Sequence, residues 1–290
     1  MTFAQVRSGP SPWEWTPRPD VWLLIIALAA GYWWMASRLR VRLPAEPPQV
    51  PKVQRVRFTI GLLMLWLAVD WPIDNLGDDF LFSVHIGLFL AITMIAVPLM
   101  LAGLPAWMQA ELAHPIAGLV TRLRAPVALG VFQLVLVITH LPAVVAAYTA
   151  HEVVHFGIHT LWVVAAGIFW LPVLGAQPIV KPLGDPAKVI YLIVATIVPT
   201  VPASFLTWTQ TAYYESYANA PRLWNITPTQ DLNLAGAIMK IGGGAVLWTC
   251  VTWFFIRWVT SENQTAHPSN MTTADKPASR PMSRAGKGPE

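Results

Sequence analysis

The stretch His151-Glu152-Val153-Val154-His155-Phe156-Gly157-Ile158-His159 opens an apolar run that continues to Leu174. Three imidazoles recur in it at every fourth position. On an α-helix, positions i, i+4 and i+8 fall within one narrow stripe, so the spacing predicts a helix with three titratable rings along one side. The run is long enough to cross a bilayer, which takes about 20 predominantly apolar residues. Ionisable groups at membrane depth are costly and by default mark functional sites. The stretch therefore predicts both the fold class, membrane-spanning helices, and where the function resides.

Composition points the same way. Charged residues make up 12% of the 290-residue chain, apolar residues 55%, and there are fifteen tryptophans. An ordinary soluble domain carries about 25% charged residues, so the expected class is an all-α, polytopic membrane protein. The single cysteine, Cys250, excludes an internal disulfide and a cysteine-based metal cluster. Metal donors, if any, must be histidine, methionine or carboxylate. Residues 1–20 lack the basic-then-apolar order of a signal peptide and read as an interfacial segment rich in proline and tryptophan.

Seven apolar stretches approach or reach spanning length: residues 21–37, 58–69, 80–104, 125–148, the run from His151, 187–209 and 234–259. They define a membrane domain over 21–260. Between the second and third lies an acidic turn with Asp70, Asp74, Asp78 and Asp79; residues 105–124 read as a surface helix. A short turn joins spans four and five, which must be antiparallel neighbours. Pro199 and Pro202 interrupt the sixth span. Residues 261–290, rich in Pro, Ser and Thr without apolar periodicity, read as a disordered tail.

Orientation follows from lysine and arginine. Fifteen lie in the connections 1–2, 3–4 and 5–6 or at the C-terminal end, against Arg7, Arg18 and Arg222 on the opposite side. The N-terminus is thus expected outside and the C-terminus in the cytoplasm. In that frame His85, His140, His151, His155 and His159 all fall in the outer half of the membrane, with Met239 in the first turns of span seven.

Each residue also has a plainer reading. A lone intramembrane histidine such as His85 or His140 can serve as hydrogen-bonded packing glue, and His151 at the boundary can simply be solvated. Met239, like Met94 and Met100, fits a core position. Lys240 can snorkel to the outer interface. His155 and His159 together favour a shared polar site.

Three chemistries fit such a site. His151-Glu152-x-x-His155 matches the H-E-x-x-H pattern of zinc proteases, in which the glutamate acts as general base. A protease needs a third ligand, however, and Asp185 lies on the expected cytoplasmic side; only His159 could complete it. Histidines from facing spans can also ligate haem. Imidazole with a nearby thioether, in a cysteine-free pocket facing outward, favours copper.

The chain resembles the CtaG family of assembly factors for caa(3)-type cytochrome c oxidases over roughly residues 70–262. The resemblance is carried by Pro72-Ile73-Asp74, Phe82-Ser83-Val84-His85, Ala96-Val97-Pro98-Leu99 and Gly103-Leu104-Pro105. It continues through His114-Pro115, Thr139-His140-Leu141-Pro142, the His151/His155 pair and Phe169-Trp170-Leu171-Pro172. Its last carriers are Ala220-Pro221-Arg222-Leu223-Trp224 and the run Asp231 to Met239. The resemblance implies a seven-span, non-enzymatic protein of the bacterial inner membrane that helps copper reach the oxidase from the outer side. The implied partners are cytochrome c oxidase subunits, the lipid bilayer and a soluble copper chaperone on the outer side; no nucleic acid is expected. Two departures stand out. Where the family reads H-M-x-x-H-M, this chain has His85-Ile86-Gly87-Leu88-Phe89-Leu90, and where it reads D-Q-Q, Asp231-Leu232-Asn233. The expected metal set is His85, His140, His151, His155, His159 and Met239. The alternatives are a metal-free scaffold for oxidase subunits and, behind it, an H-E-x-x-H protease.

Overall fold

The computed structural model describes residues 11–120, 122–176 and 181–266, and among them it contains helices and no strand. The first ten residues and those beyond Ala266, including most of the expected tail, lie outside the described residues. Five helices are long and apolar enough to cross a membrane, and two further bent pairs would bring the number to seven. Large apolar side chains such as Leu23, Val201, Ile241 and Trp253 cover the outside of the bundle. That is the surface expected of helices immersed in lipid.

Helix α1 (Pro19–Trp34) opens with proline in its first turn, where the missing N–H costs nothing, and continues through wider and tighter turns to Arg42. Helix α2 (Lys52–Val69) starts before residue 58, where the apolar run begins, so this span is longer than its hydropathy suggests. The expected acidic turn is instead a short helix, α3 (Ile73–Asp79), bent 44° from α2. The third span comprises α4 (Phe82–Leu90), a π-type stretch over Ala91–Ala96, and α5 (Val97–Gly103). Pro98 lacks the N–H that would close the wide turn, and Trp170 Nε1 donates to the Thr93 carbonyl at 2.9 Å. Helix α2 lies close against this span because Gly61 and Gly103 carry no Cβ. One added at Gly61 would sit 2.7 Å from the Ala96 carbonyl, and one at Gly103 2.6 Å from the Phe58 nitrogen.

Short helices α6 (Ala106–Ala113) and α7 (Ala117–Val120) fill the region read as a surface helix. The stretch expected as the fourth span corrects the sequence reading. It runs as α8 (Ala125–Thr139), breaks at His140-Leu141 ahead of Pro142, and resumes as α9 (Pro142–Ala150). A residue before proline avoids helical geometry, and Leu141 is extended. Helix α10 (Glu152–Leu174) carries the histidine stripe from its second turn downward and packs against α8 and α5.

The sixth span is also broken, but at Thr196, upstream of both prolines, into α11 (Asp185–Ala195) and α12 (Ile197–Trp208). Pro199 cannot donate to the Ala195 carbonyl, and Gln133 Nε2 of α8 takes that place at 2.9 Å. After α13 (Glu215–Ala218), the long helix α14 (Pro228–Ala266) packs against α4, α11 and α12 and remains helical past residue 260. The core they share includes Phe82, Phe89, Phe132, Trp162, Phe169 and Leu232.

Candidate metal centre

At the end of the bundle where α4 and α14 begin, side chains of α3 meet those from the start of α10. Asp74 and Asp78 stand four residues apart on α3 and so share one face. Opposite them, His155 and His159 stand four apart on α10. One donor atom from each of these four residues falls within 4.8 Å of all the others. His155 Nε2 lies 2.7 Å from Asp78 Oδ2, 3.9 Å from Asp74 Oδ1 and 3.2 Å from His159 Nε2.

His155 Nε2 can bear at most one hydrogen, yet it has two close polar neighbours, Asp78 Oδ2 and His159 Nε2. A cation in the hydrogen's place could serve all of them. Two imidazole nitrogens, each about 2.0–2.1 Å from a tetrahedral ion, are separated by about 3.3 Å, close to the spacing present. Asp74 adds a second feature that suits a cation. It is 1% exposed, and its Oδ1 has no hydrogen-bond donor, a costly state for a buried carboxylate. Its other oxygen is gripped by the guanidinium of Arg18, just ahead of α1. Burial alone would lower the Arg18 pKa, but the carboxylates of Asp74 and Asp20 outweigh it and leave it above its ordinary value. The guanidinium therefore carries its charge throughout the accessible pH range.

A layer of oriented side chains supports this centre. His85, in the first turn of α4, places Nδ1 3.1 Å from Asp78 Oδ1 and receives the Tyr148 hydroxyl on Nε2 at 2.9 Å. Its ring stacks on Tyr148 with centroids 4.9 Å apart. Tyr217 of α13 donates to the Gly77 carbonyl at 2.8 Å, which ties that short helix to α3. His159 stacks on Trp162, whose indole donates to Thr139 Oγ1 at 3.1 Å. With both nitrogens engaged, His85 orients Asp78 rather than presenting a free donor.

The structure thus brings together His155 and His159 as paired donors, with His85 behind Asp78. It leaves the other expected residues apart. His151 is extended and exposed at the N-cap of α10, so the three-histidine stripe loses its first member. With His151 turned out, the H-E-x-x-H pair does not converge. His140 ends α8, donates Nδ1–H to the Leu136 carbonyl at 2.6 Å, and keeps a buried Nε2 without a partner among Phe89 and Trp162. Met239 lines a separate cavity of about 490 Å³ with Phe89, Met94 and Leu136, which none of the four clustered residues reaches. Phe89 packs on Phe132 and Trp162. Sequence reading missed Asp74, Asp78 and Arg18. The signal for the first two was present as carboxylates four apart, with no lysine or arginine beside them; Arg18 left none.

Fold and centre together define a helical membrane protein with a buried histidine–carboxylate cluster at one end of its bundle. Residues 30–261 match the family model described as cytochrome c oxidase caa3 assembly factor, Caa3_CtaG. The chain belongs to that family, which associates it with oxidase components and points to a non-catalytic role. No curated protein and no solved structure matches it.

Proposed function

We propose that this protein assists the delivery or insertion of copper into cytochrome c oxidase from the outer side of the bacterial inner membrane. His155 and His159 hold the ion, with Asp74 and Asp78 beside them. The observation that carries the reading is His155 Nε2 lying between His159 Nε2 at 3.2 Å and Asp78 Oδ2 at 2.7 Å, beside the unpartnered Asp74 Oδ1. Copper is here the cargo. A cluster of two imidazoles and carboxylates holds it without the soft thiolates that would retain it, so a partner offering one further strong ligand can take it. The soluble copper chaperone expected on the outer side would supply it, and an oxidase subunit would receive it.

The test is the copper bound by purified protein and the copper content of the oxidase in complemented membranes, for wild type, H155A, H159A and D74N. Copper lost from the protein and from the oxidase in the histidine variants supports delivery. Equal copper in all four proteins removes the site.

A second reading has its own observation. The bonds from Asp78 to His85 and His155 already join α3, α4 and α10. A scaffold that docks oxidase subunits needs no more than that. It predicts normal oxidase assembly in H155A and H159A, provided the protein remains folded.

A further inference from the structure

We propose that Arg18 sets the charge selectivity of this centre, matching it to a monovalent metal ion rather than a divalent one. The inference rests on the metal-binding reading above and deepens it.

The argument begins with the charges that surround the four donors. Asp74 and Asp78 contribute two negative charges, and the imidazoles are neutral when they act as ligands. Asp70 is turned away: its carboxylate accepts from the indoles of Trp22 and Trp66 at 2.9 and 2.6 Å. Asp79 is exposed, and Asp20, 3.6 Å from Arg18 Nε, is half-exposed, so water screens both. Among the described residues, Arg18 is the one Lys or Arg paired with the cluster, bound directly to the buried carboxylate of Asp74. The buried group therefore carries one net negative charge. A monovalent ion brings it to neutrality, whereas a divalent ion leaves an excess positive charge away from water. Desolvated net charge is what such an environment penalises most.

Arg18 is also held in place, as a selectivity element must be. The segment before α1 is fastened to the same face of the molecule at several points. Asn75 of α3 donates to Thr16 Oγ1 at 3.2 Å, Trp15 stacks on Trp22 with centroids 6.3 Å apart, and Trp22 is bonded to Asp70. The guanidinium is itself largely buried, with 20% of its side chain exposed. A cation serving only to fasten the segment would not need to reach a carboxylate that is 1% exposed and belongs to the donor set.

The experiment titrates full-length protein in detergent with Cu(I) under anaerobic reducing conditions and separately with Zn(II), each against a colorimetric chelator. The quantity read is the ratio of the two affinities. Wild type, R18K, R18Q, D74N and the double variant R18Q/D74N form a series in net charge. R18Q leaves the cluster doubly negative and should shift the ratio toward Zn(II) by about tenfold or more, the scale expected for one added charge at close range. D74N with Arg18 intact makes the cluster neutral and should shift the ratio toward Cu(I). R18K keeps the charge and the ratio, and R18Q/D74N returns to it.

A ratio unmoved by R18Q, or moved toward Cu(I), overturns the proposal while leaving metal binding intact. If R18Q does not fold, D74N and R18K decide by the same criterion. Wild type that binds neither ion, or binds them unchanged in H155A, removes the centre itself and this inference with it.

Discussion

Asp231 offers the sharpest test of how the centre is held. It lies on α14, is 2% exposed, and accepts from the backbone N–H of Phe82 at 2.7 Å and of Ser83 at 3.0 Å. Those are orphan donors of the α4 N-terminus, which no residue of α4 caps. A carboxylate there also faces the positive end of the helix dipole. Asp231→Ala strands two buried N–H groups, each at a cost of about 1–3 kcal/mol. The expected loss of stability is therefore about 2–6 kcal/mol, read as a lower unfolding midpoint in detergent. Asp231→Asn keeps one acceptor oxygen and should fall between wild type and alanine. His85 sits in the same turn, so loosening it should also weaken metal binding at Asp78, which His85 orients. An Asp231→Ala protein within about 0.5 kcal/mol of wild type, the scatter of ordinary surface changes, would refute the claim that α14 caps α4.

Four further outcomes follow from packing and hydrogen bonds elsewhere. Gly61→Ala places a methyl 2.7 Å from a backbone carbonyl that cannot turn aside, and should cost about 1–3 kcal/mol of stability. Gly31→Ala, with nothing within 4 Å of the new carbon, should be neutral or stabilising in the same thermal assay. Gln133→Leu removes the donor to the Ala195 carbonyl at the break in the sixth span, and should cost about 1–3 kcal/mol. Arg257→Gln breaks a two-pronged bond to Asp185 at 2.7 and 3.0 Å, but the arginine side chain is 56% exposed. Its cost should stay below about 1 kcal/mol and shrink as salt is raised.

The fold was legible wherever apolar length decides. Helix α10 came directly from the run between His151 and Leu174, because a helix alone can satisfy its own backbone in lipid. Breaks were harder to place. In the fourth span the apolar pattern passes through His140 without interruption, and only Pro142 hints at the break. In the sixth span the prolines were visible, but the helix breaks at Thr196, near the carbonyl that Pro199 leaves free and to which Gln133 of another helix donates. Hydropathy carries no information about that partner. The start of α2 was missed for a related reason: Lys52, Arg55 and Arg57 are polar but remain helical.

The centre divides along the same line. His155 and His159 could be paired from spacing alone, since both belong to one helix. Their carboxylate partners could not, because Asp74 and Asp78 reach them only through the bend between α2 and α3, a tertiary event. His151 fails for a local reason: helix α10 begins one residue after it, so its backbone is extended and its ring leaves the stripe. Arg18 is furthest from any sequence rule, 56 positions away from Asp74. Yet it is the charge that leaves the cluster singly negative. The donors that a helical repeat can reveal are neutral imidazoles. The charges beside them come from an N-terminal segment and a short helix between spans, so the selectivity proposed above would be a property of the folded arrangement and not of the motif.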